Sequence, residues 1–154
     1  MGEVVLRPLA EADVGTLEAW FEDPDVRVRL GGALPVREWC EFVANEPDYY
    51  AFMAWDGDSP VGFAAFEVYE DRWASMFHLV GPQFRNRGYG KAILRAVLAL
   101  PEVERLEWIE ASVEPDNVAS IRCYRWAGFE QPSPEPDQEG FLTFRHRGRA
   151  LKTA

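Results

Sequence analysis

Apolar residues along this chain recur at two spacings, one suited to strands and one to helices. "EVVLRPL" reads as a short first strand, and "AEADVGTLEAWFED" then places Val14, Leu17, Trp20 and Phe21 at helical spacing with Asp13 near the start. Pro24 is expected to stop that helix. "ALPVREWCEFVANEP" repeats the arrangement, with Pro35 at its start, Val36, Trp39, Cys40 and Val43 on one side, and Pro47 at its exit. "YYAFMAWDGDSPVGFAAFEVYE" is two apolar runs around the turn chemistry of "DGDSP", which predicts a hairpin, and "WASMFHLVG" is the third strand of that meander. In "YGKAILRAVLAL", Ile93, Leu94, Val97 and Leu98 share a helical face that ends before Pro101. "RLEWIEASV" alternates as a strand, "PDNVASIRCYRWAGFE" is a helix with a C-terminal glycine signal at Gly128, and "GFLTFRHR" closes as a strand. The Pro-rich "EQPSPEPDQEG" between the last two is a surface loop rather than a linker, because a core strand follows it. No internal repeat is evident. The order β α α β β β α β α β predicts a mixed α/β sheet.

The 154 residues suit one domain, 1–154, able to bury roughly two-thirds of its unfolded surface. With 47% hydrophobic residues, six Trp and ten Phe, there is ample core material. No apolar run reaches membrane-spanning length, and the N-terminus lacks a basic region followed by a greasy stretch, so a cytoplasmic protein without signal peptide or membrane contact is expected. Cys40 and Cys123 lie far apart in helix-like stretches, so both are expected as buried thiols, with neither a disulfide nor a metal site.

Charge changes the picture more. Residues 1–80 hold five Lys and Arg against sixteen Asp and Glu, a net −11, whereas residues 81–154 hold eleven against ten, a net +1. An overall −10 argues against a general nucleic-acid binder and favours cationic partners. Within this acidic chain "QFRNRGYGKA" forms a cationic island of Arg85, Arg87, Lys91 and, just beyond, Arg95. A phosphate-binding P-loop would need Gly at Arg85 and Ser or Thr at Ala92, and a dinucleotide fingerprint would need Gly at Ile93, so both fail. What remains is Arg-x-x-Gly-x-Gly opening a helix, where glycines allow close backbone approach and amide N–H groups face an anion such as a pyrophosphate.

Taken together, "LVGPQFRNRGYG" and "EPDNVASIRCYRWAGF" resemble the GNAT N-acetyltransferase superfamily, whose members use acetyl-CoA to acetylate amines. The resemblance covers the whole order of elements. It implies a single-domain GNAT-like α/β fold, a mixed and mostly antiparallel sheet flanked by helices. It also implies that backbone groups of Leu79 and Val80 hold the pantetheine and acetyl carbonyl. Arg85, Asn86, Arg87, Gly88, Tyr89, Gly90 and Lys91 should then wrap the pyrophosphate. Asn86 stands where Gly is common, which is tolerable because Asn accepts left-handed backbone more readily than most residues. Asn117 and Tyr124 are two helical turns apart, roughly 10 Å along one face. By the resemblance, Asn117 pairs with an amide of the pantetheine arm and Tyr124 reaches the sulfur as general acid. Ser120, one turn on, either caps the helix or touches the cofactor.

Acetyl transfer needs a neutral amine, and an amine of pKa about 10 loses its proton at pH 7 at a cost on the order of 4 kcal/mol. A base or water chain is therefore expected. Some relatives carry a Glu on the strand before the loop, but Ala74 occupies the matching position here. His78, which shares that face by alternation, and Glu67 on the neighbouring strand are the candidates, beside a water chain to solvent. For the oxyanion, the Val80 N–H is the expected donor. Glu22, Asp23, Asp25, Glu70 and Asp71 read as an acidic rim whose summed field draws in cations.

The expected activity is transfer of an acetyl group to a primary amine on a cationic small molecule or peptide terminus, with homodimerisation left open. Within the superfamily the likeness leans to the aminoglycoside and ribosomal-protein N-terminal acetyltransferase branches. The alternative is a non-catalytic acyl-CoA-binding or sensor module of the same fold.

Overall fold

Six strands lie side by side in chain order in a computed structural model that describes residues 2–148: β1 (Val4–Pro8), β2 (Tyr49–Asp56), β3 (Ser59–Tyr69), β4 (Trp73–Val80), β5 (Trp108–Val113) and β6 (Leu142–Arg147). Met1 and residues 149–154, part of the 1–154 expectation and of the C-terminal charge balance, lie outside the described residues. Every neighbouring pair is antiparallel except β4 and β5, which run parallel. The meander forms where the turn residues permit. Gly57, at φ 59°, turns β2 into β3, and Glu70 and Asp71, at φ 57° and 53°, turn β3 into β4.

The helices are α1 (Val14–Trp20), α2 (Pro24–Arg29), α3 (Val36–Ala44), α4 (Tyr89–Leu98), α5 (Pro101–Glu104) and α6 (Val118–Trp126). The expected order of strands and longer helices holds, and α2 and α5 are additions to it. Pro24 does not simply end a helix, because it occupies the first turn of α2. Asp23 supplies the cap, its side chain accepting from the Val26 N–H at 3.1 Å.

Strand alternation gives the sheet two apolar faces, each covered by helices. On one, Phe52, Ala64, Phe66, Ala74 and Met76 pack under α4 and α6 with Ile93, Leu94, Val97 and Tyr124. On the other, Met53, Phe63, Ala65 and Leu79 pack under α1 to α3 with Leu17, Trp20, Val36 and Cys40. Cys40 is buried as expected, and burial pushes its thiol up to about 11. Cys123 departs from that expectation, being only half-buried, with its Sγ against the start of α4.

One seam of the sheet is incomplete. β4 and β5 pair only from Trp73 to Ser75 with Trp108 to Glu110, although β4 runs on to Val80 and β5 to Val113. Past the Ser75–Glu110 rung the strands part and leave a wedge between their C-terminal ends. The segment around α2 ties both lips of this wedge. Arg85 in the β4–α4 loop meets Asp23 at 2.8 Å, and Arg29 meets Asp116 at 2.7 Å and Glu114 at 3.2 Å in the β5–α6 loop.

Candidate active site

β4 carries His78 on the face that looks toward α4 and α6, in register with Ala64 of β3. Its Nδ1 lies 2.9 Å from the hydroxyl of Tyr124, 46 residues later on α6, with the rings edge to face at 5.2 Å. The other side of the imidazole meets the first turn of α4. A Cβ built on Gly90 would stand 3.7 Å from His78 Nε2 and only 2.9 Å from Cys123 Sγ, so glycine there is what lets α4, α6 and β4 close together. Tyr124 is buried, held edge-on by Phe129 at 4.9 Å and stacked on Phe144 at 6.0 Å. Desolvation lowers the His78 pKa to about 4 and raises that of the Tyr124 phenol. Near neutral pH the pair is therefore an uncharged imidazole beside a protonated phenol.

The loop leading into α4 has the backbone that the glycine pattern predicts. Gly88 caps the helix at φ 87°, and Asn86 takes a left-handed conformation at φ 63°. Amide N–H groups of the first turn of this ten-residue helix have no partner within it, and they open beside the wedge. Backbone direction at the end of β4 is equally defined. The Gly81 N–H donates toward β3, to Val61 O at 2.8 Å, so alternation turns the Val80 N–H toward the wedge. Leu79 buries its side chain under α1 to α3, and the same alternation turns its own N–H and C=O toward Phe63 of β3 rather than toward the wedge.

The cations of the loop are spread apart. Arg85 is paired with Asp23, which holds the Asp23 carboxyl below its usual range. Arg87 lies over the Phe84 ring at 5.9 Å. Lys91 and Arg95 share the exposed ring of Trp126, at 5.4 and 4.7 Å. The Tyr89 side chain packs into the core edge to face with Phe84 at 5.9 Å and donates to Asp56 at 2.6 Å, so its backbone is what it presents at the helix start. Asn117 caps α6, its Oδ1 accepting from the Ser120 N–H at 3.4 Å, which joins these two residues in one turn.

Glu67 stands apart from the His78–Tyr124 pair. It is in register with Ser75, and three residues along an alternating strand put Ser75 and His78 on opposite faces of the sheet. Its carboxylate instead accepts from the Tyr69 hydroxyl at 2.7 Å, on the α3 side. Three neighbours of the candidate site were not visible in the sequence: Asp23 as partner of Arg85, Trp126 as platform for Lys91 and Arg95, and Cys123 against the Gly90 turn. Their only advance signal was the charge or aromatic character of residues far apart in the chain.

Residues 3–130 match the family described as the acetyltransferase (GNAT) domain. The chain is 38% identical over 136 residues to the uncharacterized N-acetyltransferase YfmK of Bacillus subtilis (strain 168), covering 88% of this chain and 90% of that protein. Among solved structures, the aminoglycoside acetyltransferase AAC(6′)-Ib with coenzyme A and kanamycin superposes with a TM-score of 0.79 at 20% identity, over 98% of each chain. A structure of AAC(6′)-Ib containing acetyl-CoA gives 0.81 at 22% identity, over 97% of this chain and 96% of that one. The spermidine N-acetyltransferase of Vibrio cholerae with CoA and spermine gives 0.78 at 14% identity, over 93% of each. At these identities the structural likeness establishes the fold, and the family match with the Bacillus relative establishes the kind of enzyme. The chain belongs to the GNAT acetyltransferase family and is an N-acetyltransferase.

Proposed function

We propose that residues 1–154 act as one domain that uses acetyl-CoA to acetylate a primary amine on a cationic small molecule or peptide terminus. The observation that carries this reading is the meeting, at one wedge, of the α4 start, the inward-turned Val80 N–H and the His78–Tyr124 pair. The residues present fit the co-substrate. The left-handed Gly88 and the first-turn amides of α4 suit a pyrophosphate, with Arg87 beside them, and the unpaired edges of β4 and β5 suit a chain of amides. When bound, acetyl-CoA supplies an acetyl thioester open to attack by a neutral amine.

The Val80 N–H is the donor for the developing oxyanion. Tyr124 holds the proton needed by the departing thiolate. With His78 Nδ1–H donating to the phenol oxygen, the phenolic proton is left pointing away from the imidazole, and the same hydrogen bond steadies the phenolate that its loss creates. His78 is thus a positioning residue for Tyr124, and the amine's own proton leaves to water. Glu67 is too far removed across the sheet to share this step.

The acceptor's charge is argued from the −11 of residues 1–80, which supply α1 to α3 and the adjoining face. It is in keeping with the named substrates of the aminoglycoside and spermidine enzymes that share the fold. The test is a panel of mono-, di- and polyamines, aminoglycosides, basic peptide N-termini and acidic amino acids assayed for acetyl-CoA-dependent thiol release. Turnover confined to acidic amines would overturn the assignment.

A further inference from the structure

On the face of the sheet opposite His78, a cavity of about 110 Å³ opens between β2, β3 and β4, lined by Tyr49, Glu67, Tyr69, Ser75 and Phe77. Glu67 is its charged group, and among the described residues no Lys or Arg forms an ion pair with it. Its neighbours are phenols, Tyr69, whose hydroxyl donates to it at 2.7 Å, and Tyr49. The hydrogen bond to Glu67, with burial, pushes the Tyr69 hydroxyl up to about 12, and burial with the nearby Glu67 raises that of Tyr49. Glu110, the other carboxylate near this end of the wedge, is already engaged. It accepts from Trp108 Nε1 at 2.9 Å and from Arg145 at 3.0 Å. Arg72, which pairs with Glu107, is drawn onto the Trp108 ring at 4.9 Å. Neither of these arginines lines the cavity, and the Glu67 charge is left for an outside partner.

The place of the cavity relative to the wedge matters as much as its chemistry. Glu67 is in register with Ser75, and Ser75 with Glu110, the last rung before β4 and β5 part. The cavity therefore lies one strand, about 5 Å, from the closed end of the wedge, and roughly 10 Å along β4 from the His78 level. A half-buried carboxylate ringed by aromatic faces and lacking a counter-ion suits an ammonium group, which gains both the ion pair and contacts with the rings.

We infer that the Glu67 cavity is a recognition subsite for a second ammonium group of the acceptor, which anchors there while the amine to be acetylated enters the wedge. This rests on the acetyltransferase reading above and assigns Glu67 to substrate selection rather than to proton transfer.

The test compares α,ω-diamines with monoamines of matched length, both by calorimetric titration in the presence of CoA and by acetyl-CoA-dependent thiol release. Wild-type protein should favour diamines at least tenfold in affinity and in KM. Glu67→Gln, which keeps shape and removes charge, should bring that preference to about twofold or less, with kcat for the monoamine and CoA affinity unchanged. Glu67→Asp, which withdraws the charge by one methylene, should retain part of the preference. Equal affinity for mono- and diamines in wild type, or an undiminished preference in Glu67→Gln, would overturn the subsite. A fall in monoamine kcat in Glu67→Gln would do the same, by pointing to proton transfer. Failure of CoA to bind would instead strike at the acetyltransferase reading, so the two failures are separable.

Discussion

Asp23 and Arg85, 62 residues apart, meet at 2.8 Å with a second contact at 3.4 Å. The guanidinium expected at the pyrophosphate is therefore already held by a carboxylate from the cap of α2. An anion arriving at the α4 start competes with Asp23 for it. Asp23→Asn keeps a good helix cap and removes the competing charge. It should tighten CoA binding by about two- to fivefold, the range expected of an exposed ion pair. Calorimetry on the two proteins checks this, and weaker binding in the variant would mean that Asp23 orients Arg85 for the ligand instead.

Tyr124→Phe retains the ring packed on Phe129 and Phe144 and loses only the hydroxyl that meets His78. Turnover should fall by roughly 10² or more while the acetyl-CoA-induced rise in Tm survives. Equal loss of both would show that the variant had disturbed the packing around α6 rather than the proton.

His78 makes stability depend on pH in a defined window. Its pKa in the folded chain is lowered to about 4 against an ordinary 6.5, so between those values the unfolded chain binds the extra proton and folding loses ground. The stabilisation is complete above pH 6.5, declines as pH falls, and is gone below pH 4. His78→Asn should flatten this part of the Tm–pH curve. A variant curve parallel to wild type would place the acid sensitivity elsewhere.

Gly88 sits at φ 87°, where a β-branched side chain is strained by about 1–3 kcal/mol. Gly88→Val should therefore lower Tm and, by displacing the amides that open α4, abolish the further rise caused by acetyl-CoA. An undiminished rise would remove this loop from the co-substrate site.

Of the acidic rim, Asp23 and Asp25 are taken up by Arg85 and Arg29, whereas Glu22, Glu70 and Asp71 form no ion pair among the described residues. The field proposed to attract a cationic acceptor would come from such unpaired groups and would be screened over about 10 Å at 0.1 M ionic strength. Catalytic efficiency should fall with added salt through a rising KM, and increase with pH as the acceptor amine deprotonates. Efficiency indifferent to salt would leave the acidic half as solvated surface.

What could be read from the chain beforehand was whatever local periodicity and turn chemistry decide. Ile93, Leu94 and Val97 announced α4, "DGDSP" announced its hairpin, and the glycines at 88 and 90 announced a tight glycine turn into that helix. Pro24 misled because the same ring that ends a helix also suits a first turn, and only the Asp23 side chain decides which. The faces of Glu67 and His78 were out of reach for a different reason. Which residue of β3 lies opposite which residue of β4 depends on the number of residues in the Glu70–Asp71 turn, and one more or fewer would exchange the faces. Contacts such as His78 with Tyr124 depend on the whole sheet and both helices being in place.

Three rungs join β4 to β5, so the sheet is in effect a four-stranded and a two-stranded piece sharing a short hem. The open part of that hem is a pair of peptide edges, and what satisfies such edges is itself peptide-like, with donors and acceptors spaced along a slender chain. A molecule of that kind would act as a missing strand. Its departure would cost the fold a seam, so turnover in such a protein alternates between a sewn sheet and one with an open seam, and backbone amides of Val80 and of the end of β5 should exchange with solvent accordingly.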